Sequence, residues 1–475
     1  MGYEDLIFTP SGIRGIFGES LTESTVKKIA LAFGIWLKEK RVIMGRDNRP
    51  SGIILEEAVI EGLLLSGCEI INLGMCPTPV IINEKNKRNV PAGIIISGSH
   101  NPPEWNALKL ISKETFSSKK ELEEISNILD KLDMQKYGKK ELEYHKVQRV
   151  EDAIKDYIQD VSQFIDIENI KQKNNLRVVV DPGAGAGKEI TPYLLEKLGC
   201  EVKVINRDFD ENGNFPREIE PIGENLQDLI VTLWKEKYDI GFAHDCDADR
   251  LAIIGDDFQW YPEDIGLAII TEYMLQKYHD ECIQVKFITN VASSLMFDAL
   301  TEKYGAEIIR TPIGERYLVE EMNHLLIRSK STDVSVFGGE GSCGGVMFPQ
   351  FNNARDGIFA AAKIVEILVK TGKKISELVS QLPKYYSCRE QIEIDSENIE
   401  QIIKLVKEEL INEGEDVQQI DNDLRFGHKK DWFVLIHPSN TEPIIRVITE
   451  AKRESLAKIY CETAAKLVKM VIEKV

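Results

Sequence analysis

No Cys-x-x-Cys pair occurs among the eight cysteines of this 475-residue chain. Their wide spacing rules out a zinc ribbon or a disulfide framework. Cys68, Cys76, Cys200, Cys246, Cys282, Cys343, Cys388 and Cys461 read as scattered thiols of a reducing compartment, and Cys246 and Cys343 as space fillers. No apolar run approaches the ~20 residues of a membrane span. The opening MGYEDLIF has no basic stretch leading an apolar core, so a secretory signal is not expected and a cytoplasmic protein is. Positive charge is also scarce. With 59 Lys and Arg against 78 Asp and Glu, the net charge is −19. That excludes general affinity for nucleic acid or an anionic membrane. It also repels small anions, so a site for one needs its cations concentrated locally. Low-complexity segments are missing. The length suits three or four domains of roughly 100–150 residues.

Strands and helices alternate through most of the chain. KRVIMG, EIINLG and AGIIIS read as strands, and TESTVKKIALAFGIWLKEK as a helix. LRVVVDPGAGAG is a strand entering a Gly-rich turn. It lacks a clearly placed acidic residue ~20 positions on, so a tight turn packing helix on sheet is preferred to a dinucleotide fingerprint. KYDIGFAHD and VKFITNVAS restart the pattern, giving βαβ units and doubly wound sheets. EDAIKDYIQDVSQFIDIENI reads as one helix leading out of a first domain, and RDGIFAAAKIVEILVKTGK as a helix closing a third. The last hundred residues read as an antiparallel sheet with helices. The run Lys119–Lys131 reads as a solvated helix face.

Four loops carry the chemistry. In SGSHNPPEWNALK, Ser97 to Lys109, an apolar strand ends in a Ser-Gly-Ser-His-Asn-Pro turn. Gly98 allows close backbone approach and Pro102-Pro103 forbid an immediate helix. Ser99 is expected to be exposed, rigid and beside a proton acceptor, His100, as befits a nucleophile or phosphate carrier. In HDCDADR, Asp245, Asp247 and Asp249 alternate between two apolar strands. An extended segment would point all three carboxylates one way, which suits Mg²⁺ or Ca²⁺. No glycine follows at the sixth position, which excludes an EF-hand. In FGGEGSCGGVMFP, Glu340 and Ser342 sit among five glycines and offer an acceptor and a donor–acceptor suited to sugar hydroxyls. In HPSNTEPIIR, Ser439, Asn440, Thr441 and Arg446 read equally as an anion nest or as a turn between strands.

These loops, in this order, resemble the α-D-phosphohexomutase family over essentially the whole chain. The family's T-(A/G)-S-H-N-P loop corresponds to Ser97–Pro102, and D-x-D-(A/G)-D-R is met in full by Asp245–Arg250. G-E-x-S is met by Gly339–Ser342, and S-(G/N)-T-E-P-x-x-R by Ser439–Arg446. TPSGIRGIFG resembles the N-terminal segment that sets Arg14 at the active cleft, and GRDNRPSG is a further marker. RTPIGERYLVEEM, Arg310 to Met322, is similar to the glucosamine-phosphate branch. Two positions depart from the pattern. His437 stands where the family has arginine, and a histidine near its usual pKa is only partly charged at pH 7. Cys343-Gly344-Gly345 replaces a common Gly-His, closer to an archaeal-type sugar loop.

The resemblance implies α/β architecture: three similar doubly wound α/β domains, at 1–150, 151–257 and 258–373, and a smaller C-terminal α+β domain, 374–475, around a central cleft. It implies that Ser99 carries a phosphoryl group and that one Mg²⁺ is held by Asp245, Asp247, Asp249 and an oxygen on Ser99. Lys109, His100 or Arg250 would manage proton and charge at the attacked oxygen, with Lys109 the first choice for acid–base work. Glu340 and Ser342 would hold sugar hydroxyls. His437, Ser439, Asn440, Thr441 and Arg446 would clamp the phosphate that is not reacting. The expected activity is interconversion of hexose 6-phosphate and 1-phosphate, glucosamine phosphate foremost and glucose or mannose phosphate next. A sugar 1,6-bisphosphate serves as intermediate and activator, and the partner is a small hexose phosphate. A monomer and a homodimer both fit. Two other readings are a silent sugar-phosphate sensor, favoured only by His437, and an aspartyl phosphatase that leaves Ser99 idle.

Overall fold

The computed structural model describes residues 6–137, 141–328, 334–341, 345–394, 398–428, 430–439 and 443–474. Contacts divide the chain into two compact units. One comprises Met1–Ile270 with Cys343–Val379, the other Thr271–Ser342 with Ser380–Val475. Among the described residues no helix is long and apolar enough to cross a membrane.

The first unit opens with an eight-stranded sheet. Its order is Ile7–Thr9, Gly12–Ile16, Trp105–Ser112, Ala92–Ile96, Arg41–Arg46, Glu69–Met75 and Val147–Arg149, with Thr115–Phe116 beside Trp105–Ser112. The central strands Arg41–Arg46 and Ala92–Ile96 are rich in valine and isoleucine and buried on both faces. Helix Glu23–Trp36 begins where the Thr22 hydroxyl caps the Thr25 amide, at 3.2 Å. It packs with Pro50–Leu65 and Lys119–Asp130 over this sheet, through Phe33, Val59 and Ile125. Lys119–Asp130 is therefore only half solvated, because Leu122, Ile125 and Leu129 form a buried stripe. Ala92–Ile96 is parallel to Arg41–Arg46, as a doubly wound sheet requires, but antiparallel to Trp105–Ser112. The chain leaving the serine loop returns directly, and the hairpin sets Lys109 opposite Ile95.

A second sheet has the order Glu201–Val204, Arg177–Asp181, Ile240–Ala243, Ala252–Ile254 and Trp260–Tyr261. Its first three strands are parallel, and the acidic loop turns the chain back to make the fourth antiparallel. The expected single helix over 151–170 is two, Ala153–Val161 and Ile167–Lys173. Asp166 starts the second by accepting from the Asn169 amide, so a capping side chain breaks an otherwise helical pattern.

The second unit holds the parallel strands Glu307–Thr311, Gln284–Asn290 and Val334–Gly339. It also holds an antiparallel sheet in the order Tyr386–Glu393, Ile444–Ala451, Trp432–Pro438, Asp423–His428 and Gln418–Ile420. Helices Ile399–Asn412 and Glu454–Ile472 cover one face of that sheet with Val406, Ala464 and Val468. Val291 and Leu295 pack on Phe433 and Leu435, joining the two parts.

Tyr157 and Asp356 tie distant segments of the first unit together. The buried tyrosine hydroxyl donates to Asp356 Oδ2 at 2.7 Å, while Asp356 Oδ1 caps the helix Gly357–Thr371 at the Phe359 amide. Tyr157→Phe should therefore lower stability by about 1–2 kcal/mol, since Asp356 keeps its burial and loses a donor. A lowered urea midpoint with unchanged slope checks this.

Candidate active site

The serine loop is built around a buried arginine. Arg49 has no exposed surface. Its guanidinium donates to the carbonyls of Ser99, Asn101, Pro102 and Trp105 at 2.9, 2.6, 2.7 and 3.0 Å, and to Asp47 at 3.2 Å. Four carbonyls of one loop thus converge on a single planar fork. Gly98 is required by the same packing, because a Cβ there would lie 2.8 Å from the guanidinium carbon. Ser99 itself takes a left-handed conformation, φ 50°, which costs a non-glycine residue about 1–3 kcal/mol and aims its side chain out of the turn. The expected exposure is wrong. Ser99 is 3% exposed, because Arg49 draws the loop inward.

Ser99 Oγ donates to Asp245 Oδ2 at 2.8 Å. Asp247 Oδ2 accepts from Lys109 Nζ at 2.6 Å and from the Thr78 hydroxyl at 2.5 Å. Asp249 Oδ2 accepts from Arg355 at 2.8 Å, and Lys109 Nζ stands 3.9 Å from it. One oxygen from each carboxylate lies within 4.8 Å of the others, and all three residues are buried. A solvated acidic turn is thereby excluded. The convergence does not come from an extended strand. The loop is a turn, with Ala248 at φ 57°, and this folds the three side chains together.

A hard cation fits this set. Among the described residues Asp247 Oδ1 and Asp249 Oδ1 are buried without a hydrogen-bond partner, and the ligand atoms are all carboxylate oxygens. Burial first, then Asp249 and Asp247, pushes the Asp245 carboxyl well above its ordinary value. Burial also opposes ionisation of Asp247, but Lys109 and the Thr78 hydroxyl outweigh it and hold that carboxyl low. Lys109 is raised in turn, with Asp247 and Asp249 overcoming its own burial.

The Gly-rich turn after Arg177–Asp181 is the bed of the acidic loop. Ala186 N donates to the Cys246 carbonyl at 2.8 Å, and a Cβ on Gly185 would sit 2.7 Å from that same oxygen. His244 locks the loop from beneath. Its Nδ1 donates to the Arg250 carbonyl at 2.7 Å, and Nε2 pairs with the Thr191 hydroxyl at 2.9 Å. Burial holds this ring down at about 4, so it stays neutral.

Cations surround the serine. Arg250 Nη2 donates to His100 Nδ1 at 2.9 Å, and Arg14 Nη1 to Asn101 Oδ1 at 2.6 Å. His100 Nδ1 is 3.5 Å from Ser99 Oγ. Burial first, then Arg250, Arg14, Arg355 and Lys109, pushes His100 down to about 2. The expected proton acceptor is thus a neutral ring whose near nitrogen is already engaged by Arg250.

Ser99, His100, Lys109, Arg14, Arg250 and the three aspartates are thus assembled in one unit. Glu340, His437, Ser439 and Arg446 belong to the other. There Glu340 Oε1 accepts from the Gly314 amide at 3.0 Å and from Asn290 at 3.3 Å. His437 and Arg446 are direct cross-strand partners. His437 Nδ1 pairs with Asp423 Oδ1 at 2.6 Å, and Arg446 Nη1 donates to Ser439 Oγ at 3.3 Å. Ser342, Asn440 and Thr441, with Cys343, lie outside the described residues. Sequence reasoning missed Arg49, Thr78 and Arg355. Only Arg49 left a trace, in the GRDNRPSG marker.

Three models of the phosphoglucomutase/phosphomannomutase family match the chain: alpha/beta/alpha domain I over residues 5–136, domain II over 155–257 and domain III over 262–386. A probable phosphoglucosamine mutase of Pyrococcus abyssi is 36% identical over 478 residues, covering 98% of each chain. A phosphoglucomutase/phosphomannomutase of Thermococcus kodakarensis is 36% identical over 477 residues, covering 97% of this chain and 98% of that one. Among solved structures, a family protein from Burkholderia thailandensis superposes with a TM-score of 0.80 at 25% identity, over 98% of each chain. The chain belongs to this α-D-phosphohexomutase family, with three α/β domains followed by an α+β domain.

Removing the guanidinium of Arg49 would leave Asp47 buried and unpaired. Arg49→Ala should lose about 3–5 kcal/mol of stability. Gly98→Ala, which presses a methyl on the same group, should destabilise in the same direction. Urea midpoints of both variants check the pair.

Proposed function

We propose that the chain is an isomerase that moves a phosphoryl group between the 6- and 1-oxygens of a hexose through a phosphoserine at Ser99, with glucosamine phosphate as its substrate. The observation that carries this reading is the buried Ser99 Oγ, on a strained residue, 2.8 Å from one of three carboxylates suited to a hard cation. The sugar rests on similarity to relatives named phosphoglucosamine mutase and on the segment Arg310 to Met322. The Thermococcus kodakarensis relative's name favours a second reading, glucose or mannose phosphate on the same chemistry.

Asp245, Asp247 and Asp249 would hold Mg²⁺ together with an oxygen on phosphorylated Ser99. Bound there, the ion supplies Lewis-acid stabilisation of charge on the transferring phosphoryl group. Transfer breaks the bond from phosphorus to Ser99 Oγ and forms one to the sugar hydroxyl oxygen, whose proton ends on Ser99 Oγ and regenerates the serine hydroxyl. The return step takes the phosphoryl group from the other end of the 1,6-bisphosphate, after the sugar has turned round. A loose transition state needs positioning and charge more than a strong base. Lys109, raised by two aspartates, is accordingly a fixed cation rather than the proton acceptor expected of it. Arg14 and Arg250 add positive charge beside Ser99. His100 acts as a neutral positioning group that holds Arg250. Glu340 and Ser342 as sugar contacts, and His437, Ser439, Asn440, Thr441 and Arg446 as a phosphate clamp, complete the proposal.

The deciding experiment is a coupled mutase assay with Mg²⁺ and catalytic sugar bisphosphate, comparing glucosamine 6-phosphate, glucose 1-phosphate and mannose 1-phosphate. Highest kcat/KM on glucosamine 6-phosphate is expected. Ser99→Ala should reduce turnover to background while the fold persists. Turnover that survives in Ser99→Ala would move the nucleophile to the acidic loop and defeat the phosphoserine.

A second set of variants separates charge from proton transfer. Lys109→Met should lower kcat on the order of 10²–10³-fold, the loss typical of one electrostatic partner. His100→Asn keeps an acceptor for Arg250. It should leave both limbs of the pH–rate profile between pH 5 and 9 unmoved, because the ring is neutral across that range. A limb that disappears with His100 would make it a proton carrier instead.

A further inference from the structure

The second unit contains a pocket of about 580 Å³ that none of the proposed catalytic residues lines. Its walls include Arg310, Arg425, Asp298, Ile420, Trp432 and Phe433. The two arginines are differently placed. Arg310 is engaged through both terminal nitrogens, with Nη1 donating to the carbonyls of Asn290 and Ser293 and Nη2 paired with Asp298, while its Nε is buried with no partner among the described residues. Arg425, on the strand Asp423–His428, lies over the Phe433 ring at 4.4 Å from its centroid. Its Nε and Nη2 are buried and find no hydrogen-bond partner among the described residues. Burial first, and the Arg310 guanidinium second, work against its charge. Two carboxylates act in its favour, but Asp298 is already held by Arg310 and Glu450 already accepts from the Leu295 amide.

We propose that this pocket is a second ligand site, for a small organic phosphate, anchored by the Arg425 guanidinium. A guanidinium whose buried nitrogens lack acceptors is costly, and an anion that completes it gains what the fold has left unpaired. The planar fork of arginine suits a phosphoryl group, which accepts two parallel N–H bonds. Trp432, Phe433 and Ile420 give the pocket an apolar wall that inorganic phosphate alone does not use, so a ligand carrying a flat or apolar body binds better. Phe433 also belongs to the apolar cluster joining the third α/β domain to the C-terminal sheet, so a bound ligand stiffens that joint.

The test is calorimetric titration of the full-length protein with adenosine 5′-monophosphate and, separately, inorganic phosphate. Wild type should bind the nucleotide more tightly than phosphate. Arg425→Gln should weaken the nucleotide roughly tenfold to hundredfold, the value of a charged hydrogen-bonded contact. Ile420→Trp fills the pocket without touching the charge, and should abolish the same binding. This variant decides the matter if Arg425→Gln does not fold. Phosphate binding as tightly as the nucleotide, and lost in both variants, supports the anion site with free phosphate as its ligand. Nucleotide and phosphate isotherms unchanged in Ile420→Trp, or in folded Arg425→Gln, overturn the proposal. The titration needs no turnover, so it stands or falls separately from the mutase reading.

Discussion

Three carboxylates buried within 4.8 Å of one another are the constraint on which the first unit is organised. Like charges at that distance in a dry site repel strongly, and the chain supplies relief from several separate elements. Lys109 comes from a strand of the first sheet, Thr78 from the start of a helix, Arg355 from the segment leading into the helix Gly357–Thr371, and Ser99 from the loop beside them. Each partner lies more than one hundred residues from the aspartate it meets. Two of these carboxylate oxygens still have no hydrogen-bond partner among the described residues. The folded chain thus leaves buried carboxylate oxygens that a divalent cation would satisfy, as the proposed function requires.

Rigidity follows from the same need. A loop that holds three negative charges together must be prevented from relaxing, and close backbone packing does this. Gly185 and Gly357 bring neighbouring segments against the loop where any Cβ would collide. At Gly185 the obstacle is the Cys246 carbonyl at 2.7 Å, and at Gly357 it is the Arg250 carbonyl at 2.3 Å. The neutral His244 ring adds a bridge between the ends of the loop and the Thr191 helix. The turn that looked like a nucleotide fingerprint is thus part of the acidic site, and its glycines serve backbone packing.

Much of this was legible from residues that are close in the chain. Ser99 and the three aspartates lie on contiguous loops bounded by apolar strands, so their type and spacing were enough. What escaped was whatever depends on contacts between remote segments. Ser99 was expected at the surface because the fifty-residue reach of Arg49 to its carbonyl cannot be seen in the loop itself. The aspartates converge, but through the left-handed Ala248 and not through strand alternation. His100 next to a serine suggests a base, and only the guanidinium of Arg250, 150 residues on, shows that its near nitrogen is taken. A helix broken at Asp166 was misread for the opposite reason, since a local cap competed with an otherwise continuous pattern.

Two arginines make the same physical point from opposite sides. Arg49 is completely enclosed, yet its guanidinium reaches one carboxylate and four carbonyls, and the loop it organises depends on every one. Arg425 is enclosed at Nε and Nη2, and neither nitrogen finds a hydrogen-bond partner among the described residues. A fold can bury a guanidinium cheaply only when acceptors surround it. The quadrupole of Phe433 offers Arg425 about 1–2 kcal/mol at most, less than the cost of leaving a charge unpaired. In the first case the chain supplies the acceptors itself and gains a rigid serine loop. In the second it leaves the acceptor to be supplied from outside, beside the apolar wall of Trp432, Phe433 and Ile420. That contrast, rather than the size of the pocket, is what marks Arg425 as a residue waiting for a ligand.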